Sequence, residues 1–513
     1  MVAVQHVLIL GGGTAGWLTA AFLARQLSRG AVEDIQITVL ESSEIGIIGV
    51  GEGSFPSIKG TLDLLGIEER DFIGSCEATF KQGVQFAHWV RPPGQHGASH
   101  YFHPFNVPSQ RRGMPELLPW WLRGAAGPGV AFADAVTMQA HTAAAGRAPK
   151  HSDDPPYSGP MNYAYHFDAS ALAGLLRTRA QVLGVRREIG TVASVARRED
   201  GAIDHLTTTD GRNFHADLFV DCSGFRARLI GEALGEPLRP LDRVLFADRA
   251  VAMPVPYAAA DTPIATATIA TAHEAGWTWD IGLQQRRGVG YVYSSAHQSD
   301  EAAEQTLRKY IGPAAAAREA RRLTFALGYR ERPWQHNCVA IGLAGGFLEP
   351  LESSGIGLIE TAAYLLGFLF PRDGNFAPAA RQFNTLMSAR FVRIVDFLKL
   401  HYCLSQRTDS EFWRDNRDPA SWTDSLQDLL ARWRCRPPHR LDFIADLEMY
   451  PAQSWQFVLY GMEFPTRLAP QRREAAEERS ARQEFQTLRT IAERATLDLP
   501  SHRSLIEHII GRN

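Results

Sequence analysis

Residues 7 to 17 read Val-Leu-Ile-Leu-Gly-Gly-Gly-Thr-Ala-Gly-Trp, and this stretch decides the fold. Its four leading apolar residues predict a short buried strand. Gly11, Gly13 and Gly16 then have the spacing of a dinucleotide-binding turn. The first glycine permits the tight turn, the second lets the backbone approach a pyrophosphate, and the third lets the next helix pack closely. That helix, predicted over residues 17–27, offers its N-terminal N–H groups to the phosphates.

The order of strands after this turn indicates which dinucleotide binds. A second strand, predicted over residues 35–40, ends in Glu41, whose carboxylate can accept the ribose hydroxyls. Strand-then-glycine segments recur at residues 216–224 and 339–346. The dinucleotide could be NAD or FAD, but a nicotinamide domain is normally complete within about 150 residues. The late segments therefore favour FAD, which lies across most of a large domain.

Composition excludes several function classes. The 513 residues suffice for roughly two to four domains, and 45% hydrophobic with 21% charged residues describe an ordinary globular protein. A net charge of −3 gives no reason to expect nucleic acid or an anionic membrane as partner. The five cysteines form no Cys-x-x-Cys pair, which predicts no zinc site and a reducing, cytoplasmic location. The N-terminal segment lacks the pattern of a signal peptide and no apolar run reaches membrane-spanning length, so we expect neither element.

The middle of the chain contains several predicted strands. Residues 83–89 alternate like a strand and follow Lys81. Residues 91–159 are rich in Pro, Gly and His, so we predict insertions and surface loops there. Residues 277–292 predict an antiparallel pair with its turn at 285–288.

Helices dominate the remainder of the chain. Asp168 is placed to cap a helix that runs to residue 182. From about Ser353 the pattern is mostly helical, and residues 471–495 read as a solvated amphipathic helix. We predict an α/β protein with an FAD-binding Rossmann-like domain over residues 1–370, including an antiparallel sheet portion and insertions. A helical subdomain over residues 371–513 would complete the substrate pocket.

Two further segments carry chemistry. Trp277 and Trp279 lie two apart on one face of a predicted strand, a spacing that hydrophobic core alone would explain. Glu349 and Glu352 precede small residues that lead into a helix, where backbone N–H groups make an anion site. A carboxylate beside that site could act as a base, although a helix cap explains the segment equally well.

Together these segments resemble the flavin-dependent halogenases, the tryptophan-halogenase-like family. The resemblance covers nearly the whole chain. It rests on the glycine turn with Trp17, Gly49-Val-Gly-Glu-Gly53, Lys81, His103-Pro-Phe105, Trp277-x-Trp279-x-Ile281, Glu349-Pro-Leu-Glu-Ser-Ser-Gly355 and the segment Asp396-Phe-Leu-Lys-Leu-His-Tyr402. Two positions depart from the family pattern: its proline after Ile281 is Gly282 here, and its usual threonine is Ser354, which keeps a hydroxyl.

The resemblance implies a mechanism and a set of site residues. Reduced FAD and O₂ would oxidise a halide, chloride or bromide, bound by the backbone at Ser354 and Gly355. Hypohalous acid would reach Lys81, and Glu352 would stabilise and deprotonate the cationic intermediate. The other implied roles are cofactor binding by Gly11, Gly13, Thr14, Ala15, Gly16, Glu41, Gly51, Glu52, Val192, Leu343 and Ile356, substrate binding by His103, Phe105 and Tyr450, and gating by Trp277 and Trp279; no metal is expected.

The same resemblance also implies the partners and the substrate. Only one Gly-x-Gly-x-x-Gly follows a strand, so FADH₂ would come from a separate NAD(P)H-dependent flavin reductase. Residues 439–455 lack the tyrosine pair by which relatives hold free tryptophan, and Tyr450 falls where their stacking tryptophan would be. Indole or an indole derivative is therefore the expected substrate. A flavin aromatic hydroxylase and a flavoprotein without turnover remain alternatives, and the oligomeric state stays open, a homodimer included.

Overall fold

The computed structural model describes residues 3–27, 35–43, 51–97, 99–108, 114–443, 448–468 and 475–511. The chain divides into two compact units. The first unit consists of Met1–Ala78, Phe167–Asp242 and Phe325–Val392, and the second of Thr79–His166, Arg243–Thr324 and Arg393–Asn513. This division differs from the predicted boundary at residue 370, because strands far apart in sequence pair within each unit.

The strands are short and run through most of the chain before residue 350. In chain order they are β1 His6–Leu10, β2 Gln36–Glu41, β3 Gly51–Gly53, β4 Thr79–Lys81, β5 Gly83–Ala87, β6 His100–Pro104, β7 Ala164–Asp168, β8 Arg186–Ile189, β9 Val192–Arg197, β10 Ile203–Thr208, β11 Asn213–His215, β12 Leu218–Asp221, β13 Arg239–Pro240, β14 Arg249–Pro256, β15 Thr268–Ala272, β16 Gly276–Gly282, β17 Arg286–Tyr293, β18 Arg321–Thr324, β19 Gly328–Tyr329, β20 Trp334–Gln335, β21 Cys338–Ala340 and β22 Gly346–Phe347.

The helices concentrate after residue 350, as predicted. In chain order they are α1 Thr14–Leu27, α2 Ser57–Leu65, α3 Glu69–Ser75, α4 Leu117–Leu122, α5 Phe132–Val136, α6 Gln139–Ala144, α7 Ala169–Val182, α8 Asp300–Ile311, α9 Ser354–Phe368, α10 Phe376–Cys403, α11 Glu411–Arg417, α12 Asp424–Trp433, α13 Ala452–Gly461, α14 Ala475–Asp498 and α15 His502–Ile510. Single 3-10 turns and one π-helical segment, Arg228–Ala233, connect some of them. No described helix is long and apolar enough to cross a membrane.

The first unit is built on a mainly parallel sheet with the order β20-β21-β12-β1-β2-β8. Val7 in β1 lies between Ile37 of β2 and Leu218 of β12, and both pairings are parallel. β21 continues the parallel order beside β12. The apolar runs that predicted these strands are buried. The sheet confirms the predicted Rossmann-like fold, with the glycine turn at the carboxyl end of β1.

Helix boundaries in this unit depend on local hydrogen bonds. α1 begins at Thr14, earlier than the predicted residue 17, because Trp17 N already donates to Gly13 O at 3.1 Å. Asp168 caps α7 as predicted, since its Oδ1 accepts from Ser170 N and Ala171 N at 2.9 and 3.0 Å. The cap fixes a carboxylate at the start of α7.

α9 carries a buried acid at Glu360, which is 6% exposed. Its carboxylate accepts from Ser57 Oγ at 2.8 Å and from Thr61 Oγ1 at 2.5 Å. Burial raises the pKa of Glu360 from 4.5 to about 7, although both hydroxyls lower it. The folded protein therefore keeps this proton at a pH where the unfolded chain has released it.

Replacing Glu360 with glutamine should change how stability depends on pH. Between pH 4.5 and about 7 the folded state binds more protons at this group, so the wild type loses stability as the pH rises, by up to about 1.4 kcal/mol per pH unit. Glu360→Gln should lack this loss. Urea unfolding at pH 5, 6, 7 and 8 measures both curves, with exposed Glu199→Gln as control for the lost charge. Parallel curves for wild type and Glu360→Gln would contradict the assignment.

The second unit is built on a mixed sheet with the order β18-β14-β17-β16-β15-β5-β6. β16 and β17 are antiparallel, as predicted, with Trp279 opposite Gly290. The predicted turn at residues 285–288 is wrong. The chain turns at residues 283–285, where Leu283 N donates to Arg286 O, and Gly288 lies in the ladder opposite Ile281. Gly288 therefore belongs to the strand and not to the turn.

The prediction of surface loops for residues 91–159 is also wrong in part. β6 pairs with β5, with Val84 opposite His103, and short helices follow. Trp120, Phe132 and Gln139 are buried in this segment. Its Pro and Gly residues separate short elements, so the periodicity that reveals longer strands and helices is missing. The region thus adds core to the second unit.

Candidate active site

The glycine turn of the first unit has the geometry that a dinucleotide requires. Gly11 has φ +118°, and a Cβ there would lie 2.2 Å from Cys222 O. A Cβ on Gly16 would lie 1.8 Å from Gly11 O, so this glycine lets α1 approach the turn itself. At Gly13, no described atom lies within 4 Å of an added Cβ. The backbone at Gly13 is therefore open to a ligand, and the turn fits a pyrophosphate beside the N-terminus of α1.

The residues predicted beside this turn have different surroundings. Thr14 Oγ1 donates to Ala169 O at 3.4 Å. Ala15 lies close to Gly342: a Cβ added to Gly342 would be 2.8 Å from the Cβ of Ala15. Leu343 is half-buried in the 3-10 turn that follows β21. Val192 begins β9 and packs against the hydrophobic core, so its contact is with the protein interior.

Glu41 has protein partners on both oxygens. Trp17 Nε1 donates to Oε2 at 3.1 Å, and Arg187 Nε donates to Oε1 at 2.5 Å. A Cβ on Gly12 would lie 1.5 Å from Oε2, so the carboxylate rests directly on the turn. A carboxylate has about four acceptor positions, which leaves capacity for a ribose hydroxyl. Arg187 and Trp17 were not predicted as its partners, and no short-range signal in the sequence links them to Glu41.

Glu52 is the second acid of the cofactor side. It lies in β3 after Gly51, and Gly49 and Val50 of the same motif are outside the described residues. Burial, and then the charge of Asp168, raise the pKa of Glu52 from 4.5 to about 7. Near neutral pH this carboxyl is protonated in a large share of molecules and can donate a hydrogen bond.

The predicted halide segment opens α9. Ser353, the N-cap residue of α9, adopts a left-handed conformation with φ 57°, and its side chain makes no capping hydrogen bond. Ser354 is buried, whereas Gly355 is exposed with no described atom within 4 Å of an added Cβ. The first-turn N–H groups of a 15-residue helix carry partial positive charge and suit a small anion. Of the neighbouring predicted residues, Glu349 and Glu352 are both 1% exposed and Ile356 is 3% exposed.

In the second unit, Lys81 ends β4 and is fully buried. β4 is fixed from several sides. It pairs with β7, placing Lys81 opposite Ala164, and Thr79 Oγ1 donates to Gly282 O at 2.6 Å. Lys81 Nζ lies 5.3 Å from the ring centroid of Phe105, within cation–π range. Lys81 is therefore an amine in a rigid, desolvated setting with an aromatic face beside it.

His502 binds the backbone of the strand that carries Lys81, and no pattern in the sequence predicted this contact. Phe80 N donates to His502 Nε2 at 2.9 Å, and His502 Nδ1 donates to Ile264 O at 3.1 Å. Burial lowers the pKa of His502 from 6.5 to about 4, so the ring stays neutral and Nε2 can accept. Burial, with the charges of Lys81 and His502, also lowers the pKa of His166 well below 6.5.

Two of the three predicted substrate-binding residues, His103 and Tyr450, belong to one ring cluster in this unit. The His103 ring lies 5.9 Å from Phe397 and 6.2 Å from Phe457, between ring centroids. Tyr450 stacks on Phe397 with centroids 3.9 Å apart and is 1% exposed. Phe397 thus links His103 to Tyr450. It lies within the segment 396–402 that carries the family resemblance, but its central place was not predicted.

The tryptophan pair is buried in β16. Trp277 and Trp279 are 0% and 7% exposed, with ring centroids 6.5 Å apart. A Cβ on Gly290 would lie 2.1 Å from Trp279 Cη2, so the indole lies on the glycine of the neighbouring strand. At Gly282, a Cβ would lie 2.8 Å from Ile264 Cγ2 and 3.0 Å from Tyr257 Oη. Those side chains fill the space of the family's proline.

Comparison with known proteins defines the class. The family model for tryptophan halogenases matches residues 6–477. A 7-chloro-L-tryptophan 6-halogenase of Kutzneria sp. (strain 744) is 35% identical over 98% of this chain and 99% of its own. The crystal structure of a tryptophan halogenase from Shewanella frigidimarina NCIMB 400 aligns with TM-score 0.94 at 39% identity, covering 99% of this chain and 98% of that one. A flavin-dependent halogenase from Brevundimonas sp. BAL3 aligns with TM-score 0.87 at 35% identity, over 99% of both chains.

The fold, the glycine turn and these matches define a flavin-dependent halogenase. The chain belongs to the tryptophan halogenase family. This confirms the resemblance inferred from the motifs.

Proposed function

We propose that this enzyme halogenates an electron-rich aromatic such as indole, with FAD as its cofactor and a halogen relay at Lys81. The observation that carries the proposal is Lys81, a fully buried lysine on a strand fixed at Thr79 and Phe80. Burying an ammonium is costly, and an ordinary surface lysine would not be held in this way.

The cofactor side of the proposal rests on the first unit. Gly11, Gly13 and Gly16 fit the pyrophosphate of FAD, and Glu41 keeps acceptor capacity for its ribose. Bound reduced flavin supplies, with O₂, the oxidising power that converts a halide to hypohalous acid. The N–H groups of Ser354 and Gly355 hold the halide, because they lie in the first turn of α9, where the helix dipole carries partial positive charge.

The remaining residues direct the halogen. The ammonium of Lys81 donates a hydrogen bond to hypohalous acid, or its amine takes the halogen and releases hydroxide. The buried indoles of Trp277 and Trp279 keep oxygen transfer away from the organic substrate. His103 and Phe105 pack against the aromatic ring. Glu352 stabilises the cationic ring intermediate and takes its proton.

An assay with purified enzyme tests this function. The assay combines the enzyme with FAD, NADH, bromide, indole and a separate flavin reductase, and brominated indole is the expected product. Hydroxylated indole would instead support a monooxygenase. The absence of any product would support a flavoprotein without turnover. We propose that the reductase is a transient partner in the cytoplasm, consistent with five cysteines that form no disulfide among the described residues. Without the reductase, the enzyme should not oxidise NADH stoichiometrically, and such oxidation would contradict the two-protein scheme.

The substrate preference should favour indole over free tryptophan. Asp442 lies in the segment where relatives hold the amino-acid group and is 5% exposed. Burial alone would raise the pKa of Asp442, but hydrogen bonds, first of all from Arg436, lower this pKa to about 2. Glu448 lies 3.8 Å from Arg393. These acids already face the protein's own arginines, so an incoming ammonium gains little from them. Leaving a buried zwitterion without matched partners costs several kcal/mol.

Competition between equal concentrations of indole and tryptophan measures this preference. We expect indole to be halogenated at least about tenfold faster, a difference of about 1.4 kcal/mol, and chiefly at its electron-rich C3. Because both substrates share one enzyme and one supply of oxidant, the product ratio reports selectivity alone. Preferential halogenation of tryptophan at one position would contradict the proposal.

A further inference from the structure

A pair of histidines lies across two strands of the first unit, in the antiparallel sheet β11-β10-β9. His205 of β10 is directly opposite His215 of β11. Their ring centroids are 4.9 Å apart, with the planes inclined by 40°. The His205 side chain is 24% exposed and His215 is exposed, so solvent reaches both rings. Directly opposite side chains of this kind can converge on one small ion.

Asp204 completes a group of three candidate ligands. Its Oδ2 lies 2.8 Å from His205 Nδ1, and one ligand atom from each of the three residues lies within 4.8 Å of the others. A carboxylate and two imidazoles that lie this close together are ligand types that bind metal ions.

We propose that Asp204, His205 and His215 bind a divalent transition-metal ion of the Zn²⁺ type. Two imidazoles and one carboxylate match the ligand preference of Zn²⁺, Cu²⁺ and Ni²⁺, whereas Mg²⁺ and Ca²⁺ prefer oxygen ligands alone. Zn²⁺ takes nitrogen ligands at about 2.0–2.1 Å. The ligand atoms of these solvent-accessible side chains already lie within 4.8 Å of one another, and water would fill the remaining coordination.

Two further polar side chains, His6 and Arg198, lie near this group, and both already have partners. The His6 ring hydrogen-bonds with the His215 backbone and lies 3.0 Å from Thr38 Oγ1, so it is engaged. Arg198 Nε lies 3.6 Å from the second oxygen of Asp204 and orients the carboxylate. The group shares no residue with the candidate active site. A bound ion would join β10 to β11 and stabilise this sheet independently of halogenation.

Calorimetric titration of the full-length protein, purified without a histidine tag, tests the site with ZnCl₂. We expect one Zn²⁺ per chain in the wild type and loss of that equivalent in both His205→Ala and His215→Ala. Asp204→Asn should weaken binding by about 10–100-fold. His96→Ala removes an exposed histidine of the second unit and should bind like the wild type.

A second readout separates binding from folding. Zn²⁺ should raise the thermal unfolding midpoint of the wild type and of His96→Ala, but not of His205→Gln or His215→Gln, whose midpoints without metal should equal that of the wild type. No binding to the wild type, equal binding to the histidine variants, or equal binding of Mg²⁺ would overturn the proposal. None of these outcomes depends on halogenase activity.

Discussion

Lys81→Ala should lose more than nine tenths of the halogenation rate, a loss above about 1.4 kcal/mol, while flavin reoxidation and hypohalous acid formation continue. The reason is that Lys81 is proposed to act after the halide is oxidised, as the amine that presents the halogen to the ring. Brominated indole is measured by chromatography, O₂ consumption with an electrode, and released hypobromous acid with a chromogenic scavenger. The split between the first readout and the other two distinguishes a relay from a general loss of fold.

Lys81→Arg should fail as well, since a guanidinium is a poor nucleophile and cannot replace a compact ammonium. The matched control is Lys150→Met. Lys150 belongs to the same unit, is 2% exposed, and has Nζ 5.9 Å from the Tyr163 ring, but it has no proposed catalytic role. It should keep most of the halogenation. Retention of more than a tenth of the rate by either Lys81 variant would make this lysine structural.

Gly13→Ala and Gly16→Ala should separate cofactor binding from folding. At Gly16 a methyl group would overlap Gly11 O at 1.8 Å, and backbone cannot move aside cheaply. We expect a stability loss of about 2 kcal/mol or more. At Gly13 no described atom lies within 4 Å, so stability should stay within about 0.5 kcal/mol of the wild type. There the methyl group would face the cofactor, and FAD affinity should fall at least about tenfold.

Urea unfolding and calorimetric titration with FAD measure the two effects. Because both variants add the same methyl group to the same turn, each serves as control for the other. Unchanged FAD affinity in Gly13→Ala would contradict the role of the turn. Unchanged stability in Gly16→Ala would contradict the contact with Gly11 O.

The predictions from sequence were most accurate for strands and helices whose signal lies within a few neighbouring residues. β1, β2 and β12 are short, mostly apolar runs that end in or before glycine or an acid, and Asp168 is a cap directly before a helical pattern. Such signals depend on residues within a few positions of one another. The family motifs added the candidate roles of Lys81, Glu352 and the tryptophan pair, which spacing alone would not have supplied.

The sequence failed where contacts are long-range. His502 lies more than 400 residues beyond Phe80 and resembles any histidine near a helix start, yet it binds that backbone amide. β6 was predicted as loop, since its strand character comes from pairing with β5. Arg187 reaches Glu41 only because β8 lies beside β2. Patterns within a window cannot report such partners.

The interleaving of the units sets the order in which the nascent chain can fold. β5 pairs in parallel with β15, about 180 residues later, and the second unit also needs Arg393–Asn513. β5 can pair with β6 soon after synthesis, but at about 5–20 residues per second its other edge waits on the order of 10 s or more for β15. During that time the unpaired edge of β5 can pair with other chains, which promotes aggregation. Because slower synthesis lengthens this wait, chaperones that hold the unfolded chain should raise the yield of active enzyme.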